Sequence, residues 1–267
     1  MAGTFVMCEL LNSVDKTDCI PESSSTWEDR SRSRMPDIPT ASPPREAYYV
    51  VVSGAMNTQI HHPQWYRIIG AIDEAELQAS LRNPTNFTGA ALSVVQFGAP
   101  ALTVTCQPGA WWIHSSDANQ WARMIDVTAL VFARLKETPV TAYGFTSQLH
   151  IDTVAPDTKS VLAESILGMK LGFPGGSGKS AGSNIALTVT DEDAVVNTSI
   201  QPSILSERAI FLNLNCQYSS PTAAAPGYFD LGVLLKGRFE RYRALEQRVC
   251  TDMLAGVNSL AEAKKSL

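Results

Sequence analysis

The chain has 267 residues, of which 45% are hydrophobic and 18% charged, and its net charge is −5. That composition belongs to a globular protein rather than a disordered or fibrous one, and the length suits one large domain or two small ones. It lacks the basic excess that general binding to nucleic acid phosphates requires. The five cysteines (Cys8, Cys19, Cys106, Cys216 and Cys250) are odd in number and none stands at a metal-ligand spacing, so neither a disulfide framework nor a zinc site is expected.

The N-terminus MAGTFVMCELLNSVDK has no basic n-region and only a short apolar patch, which makes a poor secretory signal. No run of 18 apolar residues follows, so no membrane partner is expected and the simplest setting is a reduced cytoplasm. Residues 21 to 44 (PESSSTWEDRSRSRMPDIPTASPP) are rich in Ser, Thr and Pro and cannot offset the entropy of ordering. We therefore expect residues 1–47 to be a flexible arm, with Trp27 as its one candidate anchor. The first folded half, 48–156, opens with the apolar run YYVVVSG, a buried strand. Residues 65 to 82 carry a helical pattern, with Ile72, Ala75, Leu77 and Leu81 in phase.

Residues 83 to 116 contain no Asp, Glu, Lys or Arg. Strands in such a run must be covered on most of their surface, by core or by a partner. Three are expected, at 90–97, 101–106 and 110–115. The last two join at Pro108-Gly109, which stand where a type II turn prefers them. With that tip, Cys106 pairs with Trp111 and alternation sets the faces. Leu102, Val104, Cys106, Trp111 and Ile113 point one way; Thr103, Thr105, Trp112 and His114 point the other. A Trp among uncharged threonines suits a protein contact, unless a helix of the same chain covers that face.

Ser116 or Asp117 can cap the next helix, whose stripe is Trp121, Met124, Ile125, Thr128, Phe132 and Leu135. Val127, Leu130 and Val131 make its second half apolar nearly all round, so deep burial is expected. Pro139 closes it and VTAYGFTSQLHI returns as a strand. The second half, 157–267, begins with a short helical stretch at 157–168, a strand candidate MKLGF and a loop PGGSGKSAGS. IALTVTDEDAVVNTSI reads as a hairpin turning at Asp191-Glu192-Asp193, and RAIFLNLNCQY as a further strand. A final helix over 231–257 buries Leu235, Phe239, Tyr242, Leu245, Val249 and Met253. The expected class is α+β, built from two similar halves, each an antiparallel sheet followed by a long packed helix.

In its order of features the chain resembles a sporadically distributed family of uncharacterised bacterial proteins of similar length. The elements that carry the resemblance are TVTCQPGAWWIHSS, NQWARMIDVTALVFARL, PVTAYGFTSQLHI, AIFLNLNCQY and the final helix. It covers roughly 48 to 257, and the Ser/Pro-rich arm lies outside it. The resemblance carries no activity to any residue. Its patchy occurrence implies an accessory role, such as an antiviral defence or regulatory module.

Motifs for chemistry are weak. Gly172 to Ser180 (GFPGGSGKS) has five residues between Gly172 and Gly178 where a phosphate-binding P-loop has four, and the strand-like AGSNIALTVT follows where a helix should start. Lys179 is therefore read as a loop lysine. His61 and His62 are adjacent and point apart. His150 and Asp152 share a strand face and could form a base with its orienting carboxylate, but no nucleophile elbow accompanies them. Asp191, Glu192 and Asp193 suggest a cation site, yet consecutive side chains diverge and a solvated turn is the simpler reading. In the last helix Arg238, Arg241 and Arg248 fall on roughly one face, where they could meet an acidic partner or a nucleic acid backbone.

The sequence thus favours a non-catalytic accessory or regulatory subunit that binds another protein through Trp112, His114, Thr103 and Thr105, with Trp27 on the arm and no cofactor. Two alternatives remain open. One is a nucleic-acid-binding accessory protein using Arg238, Arg241 and Arg248. The other is an enzyme whose site gathers scattered residues such as His150, Asp152 and Cys106.

Overall fold

The computed structural model describes residues 45–265, apart from 156, 159–160, 163–184, 192 and 222–228. The arm with Trp27, the MKLGF segment, the glycine-rich loop with Lys179 and most of the 157–168 stretch lie outside the described residues.

Among the described residues nine strands make one antiparallel sheet. They are β1 (Glu46–Gly54), β2 (Phe87–Thr88), β3 (Ser93–Phe97), β4 (Leu102–Gln107), β5 (Ala110–Ser115), β6 (Val140–Asp152), β7 (Ile185–Asp191), β8 (Ala194–Pro202) and β9 (Ala209–Ser219). Their order across the sheet is β2-β3-β4-β5-β1-β6-β9-β8-β7. The central strand β6 bonds to β1 along one edge and to β9 along the other, so hydrogen bonding is continuous from the first half of the chain into the second. Among the described residues four α-helices accompany the sheet: α1 (Pro63–Ile68), α2 (Glu74–Arg82), α3 (Trp121–Arg134) and α4 (Leu231–Lys265). The class is α+β, as expected.

Strict alternation puts one set of side chains against the helices. Tyr48, Val50 and Val52 of β1, Trp111 and Ile113 of β5, Phe145 of β6 and Leu214 of β9 join Met124, Val131 and Phe132 of α3 and Leu235 and Tyr242 of α4 in one core. Trp121 sits at its middle, with its ring edge-on to Tyr48, Phe145 and Tyr242. A smaller cluster under the far end of α4 packs Ile200, Ile210 and Leu212 against Val257 and Ala261. α4 runs eight residues beyond the expected end at 257, and Val257 and Ala261 are the reason, because they extend the buried stripe by one more turn.

The helical pattern over 65–82 is two helices, not one. Gly70 takes a positive φ of 79°, which ends α1, and Asp73 restarts the chain with a capping box that pairs its side chain with Glu76. A phase counted through Gly70 therefore fails: Ile72 and Leu77 are buried, but Ala75 is exposed and Leu81 stands in solvent at 46% exposure. In α3 the expected stripe is buried through Phe132, whereas Leu130 is exposed rather than buried. Pro108-Gly109 is the tip of the β4–β5 turn, but Gly109 is not among the glycines with positive φ, so the turn is not type II.

Candidate interaction face

Helices α3 and α4 pack on one side of the sheet, over β5, β1, β6 and β9, and among the described residues no helix packs on the other. The register lets that open side be read in rows across the strands. One row runs Thr105, Trp112, Val51, Gly144, Gln217, Val195, Thr190. The next runs Thr103, His114, Tyr49, Thr146, Asn215, Asn197, Thr188. A third carries Ala47, Gln148, Asn213, Ser199 and Ala186, and a fourth begins with His150, Phe211 and Gln201. No position in these rows is Asp, Glu, Lys or Arg. The first charges met are Arg45 and Asp152 at the margin, which pair with each other at 3.1 Å.

The four residues assigned to this side from the sequence are all on it, in direct register: Thr105 opposite Trp112, and Thr103 opposite His114. Trp112 and His114 are half-buried while Trp111, one residue away, is fully buried. Tyr49 stacks on His114 with ring centroids 5.2 Å apart, and its hydroxyl donates to Gln148 at 3.3 Å. These contacts make an aromatic half over β5 and β1. Across β6, β9 and β8 the face becomes an amide and hydroxyl half, with Asn215 donating to Thr146 at 2.8 Å. Burial lowers the pKa of both histidines on the face, His114 and His150, so neither adds positive charge at neutral pH. The amide half was not singled out in sequence. Its signal is the alternation in AIFLNLNCQY, where Asn213, Asn215 and Gln217 interleave with Leu212, Leu214 and Cys216.

The residues considered for catalysis do not converge. Cys106 is fully buried on the helix side of β4, where burial pushes its thiol pKa up to about 12. His150 is three strands away on the opposite face and bonds through Nδ1 to Ser203 at 2.7 Å. Asp152 faces Arg45, not His150. His61 is buried and bonds through Nδ1 to the Tyr66 hydroxyl at 2.8 Å, which also accepts from the Trp111 indole at 3.3 Å. His62 instead caps α1 by accepting from the Trp65 amide. Among the described residues no group of His, Cys, Asp and Glu is arranged to hold a metal.

The arginines of α4 are largely committed within the chain. Arg238 donates to Asp193 and lies 5.4 Å over the Tyr218 ring, and Arg241 approaches the same carboxylate at 3.9 Å. Asp193 therefore ties the β7–β8 hairpin to α4 rather than standing as a solvated turn. Arg248 is exposed. One further cluster escaped sequence reasoning: Glu246 is buried on α4, accepting from Ser147 and Arg243, and Ser147 lies 2.6 Å from the Tyr242 hydroxyl. Burial raises the Glu246 pKa, opposed by Ser147 and Arg243. A polar residue on a helix otherwise read as solvated gives no sign in sequence of such a site.

No protein-family model matches the chain, and a search of curated proteins returns no match. Among the described residues no helix is long and apolar enough to cross a membrane.

Proposed function

We propose that this chain is a non-catalytic protein-binding subunit that docks its partner on the open face of the sheet. One observation carries the reading: a nine-stranded sheet presents aromatic, hydroxyl and amide groups in four rows without a formal charge, in a chain where 18% of residues are charged. Random surface would place several charges there, and solubility favours them. Their absence fits a surface that is desolvated on binding, since an unpaired charge is costly to bury. Trp112 is the expected anchor, because a half-buried indole adds large contact area with little rotamer entropy to lose. Thr103, Thr105 and His114 frame it.

The order of strands supports an architecture of two similar halves. β1 bonds to β5, the strand just before α3, and β6 bonds to β9, the last strand before α4, so each half reads as a lead strand, a meander and a helix. The two lead strands meet at the centre. The resemblance noted from the sequence adds a setting, an accessory or regulatory role in a larger bacterial assembly such as a defence system. Nucleic acid binding is the weaker reading, because Asp193 already engages Arg238 and Arg241.

The test is affinity purification of the tagged full chain from its native host, identification of the partner, and reassembly from purified components. Trp112→Ala and Thr103→Lys are expected to weaken the reassembled complex at least tenfold while melting like wild type. A partner held with unchanged affinity by both variants would remove this face as the binding site.

A further inference from the structure

The face also constrains what can sit on it, and we infer that its occupant is a second copy of this chain, stacked sheet to sheet. The inference rests on the reading that this face binds protein, and names the partner. Each copy carries −5 overall, so self-association is opposed least where the surfaces brought into contact hold none of that charge, and the four rows are such a patch. A hetero-partner with charged side chains would bury them against a surface that offers no counter-ion.

Seven strands, β4 to β7 in sheet order, span about 30 Å at a spacing of about 4.8 Å, and the rows extend about 20 Å along the strands. That plane, with its side-chain relief, approaches the roughly 800 Å² that each side of a standard stable interface contributes. Twisted sheets stack face to face with their strands about 30° apart, so the geometry is an ordinary one.

The aromatic half (Trp112, His114, Tyr49) and the amide half (Asn215, Gln217, Asn197) lie on opposite sides of the β1–β6 centre line. A two-fold axis parallel to that line, between the stacked sheets, lays the aromatic half of each copy on the amide half of the other. Rings meet amides twice, and the contact closes on itself as an isologous dimer must.

Analytical ultracentrifugation of the full chain across a concentration series tests this directly. Wild type is expected to sediment as a dimer, and Asn215→Lys and Gln217→Lys, each of which buries one uncompensated charge per copy, to dissociate at least tenfold more readily. Ala122→Lys, on the exposed side of α3, should remain dimeric. Thermal melts accompany each variant, and the wild-type result stands even if one lysine variant misfolds. A wild-type chain that stays monomeric at its highest soluble concentration overturns the inference. So does a dimer that survives both lysines with wild-type melts. If that monomer nevertheless loses an identified hetero-partner on Trp112→Ala, the face binds protein but not itself, and only this inference falls.

Discussion

Trp111 and Trp112 are neighbours in sequence with opposite fates. Trp111 is fully buried, edge-on to Phe132, with its indole proton on the Tyr66 hydroxyl; Trp112 lies half-buried on the open face. Trp111→Ala should therefore cost about 3–5 kcal/mol, from lost burial and the cavity left behind, and leave Tyr66 short of a donor. Trp112→Ala should cost the isolated fold under about 1 kcal/mol. Denaturant melts of the two variants measure the difference, and equal losses would contradict the observed faces. The same cluster predicts a pH effect. Burial, helped by the neighbouring His62, lowers the His61 pKa to about 4, against about 6.5 for an unfolded histidine. Between those values the unfolded chain binds a proton that the folded chain refuses, so this contribution is present above pH 6.5 and is lost as pH falls towards 4. The size is on the order of 3 kcal/mol. His61→Gln, which can still bond to Tyr66, should show a shallower fall in stability between pH 7 and pH 4.5.

At the scale of elements, the strand assignments followed from alternation and the helix assignments from the phase of apolar residues. The run from 83 to 116 yielded β3, β4 and β5, and the β4–β5 hairpin in its right register, because a Pro-Gly tip leaves only one register for it. The 65–82 pattern misled because Gly70 resets the phase, whereas the Asp73–Glu76 pair that marks the restart was already legible as a capping signal. Gly144 shows a constraint that no pattern reveals. A Cβ there would meet the Cys216 carbonyl oxygen of β9 at 2.1 Å, and that atom is backbone and cannot swing aside. Gly144→Ala is thus expected to force β6 and β9 apart and to destabilise the chain more than the methyl group suggests, by roughly 2 kcal/mol or more. Hydrogen exchange should localise the loss to the β6 and β9 amides; protection there equal to wild type would refute it.

For the whole molecule, the continuous sheet decides cooperativity. β6 is bonded on both sides, and one core runs from Val95 of β3 to Tyr218 of β9 and Tyr242 of α4, so among the described residues the two halves share both sheet and core across the β1–β6 line. Thermal unfolding is expected to be a single transition, with tryptophan fluorescence, which reports the β5 and α3 side, and hydrogen exchange in β8 and β9 giving the same midpoint. Two separated transitions would place a seam at the β1–β6 line. By itself the sequence determined the α+β class, most of the strands, the register of the β4–β5 hairpin and the side on which Thr103, Thr105, Trp112 and His114 lie. These depend on local periodicity and turn chemistry, which neighbouring residues carry. Only the tertiary structure decided that β1 and β6 join the halves into one sheet, that Asp193 takes up Arg238 and Arg241, that Cys106 and His150 lie on opposite faces, and that Asn213, Asn215 and Gln217 extend the uncharged face. Each of these depends on which strands become neighbours across long stretches of chain, and alternation within a strand says which face a residue takes but not what lies beside it.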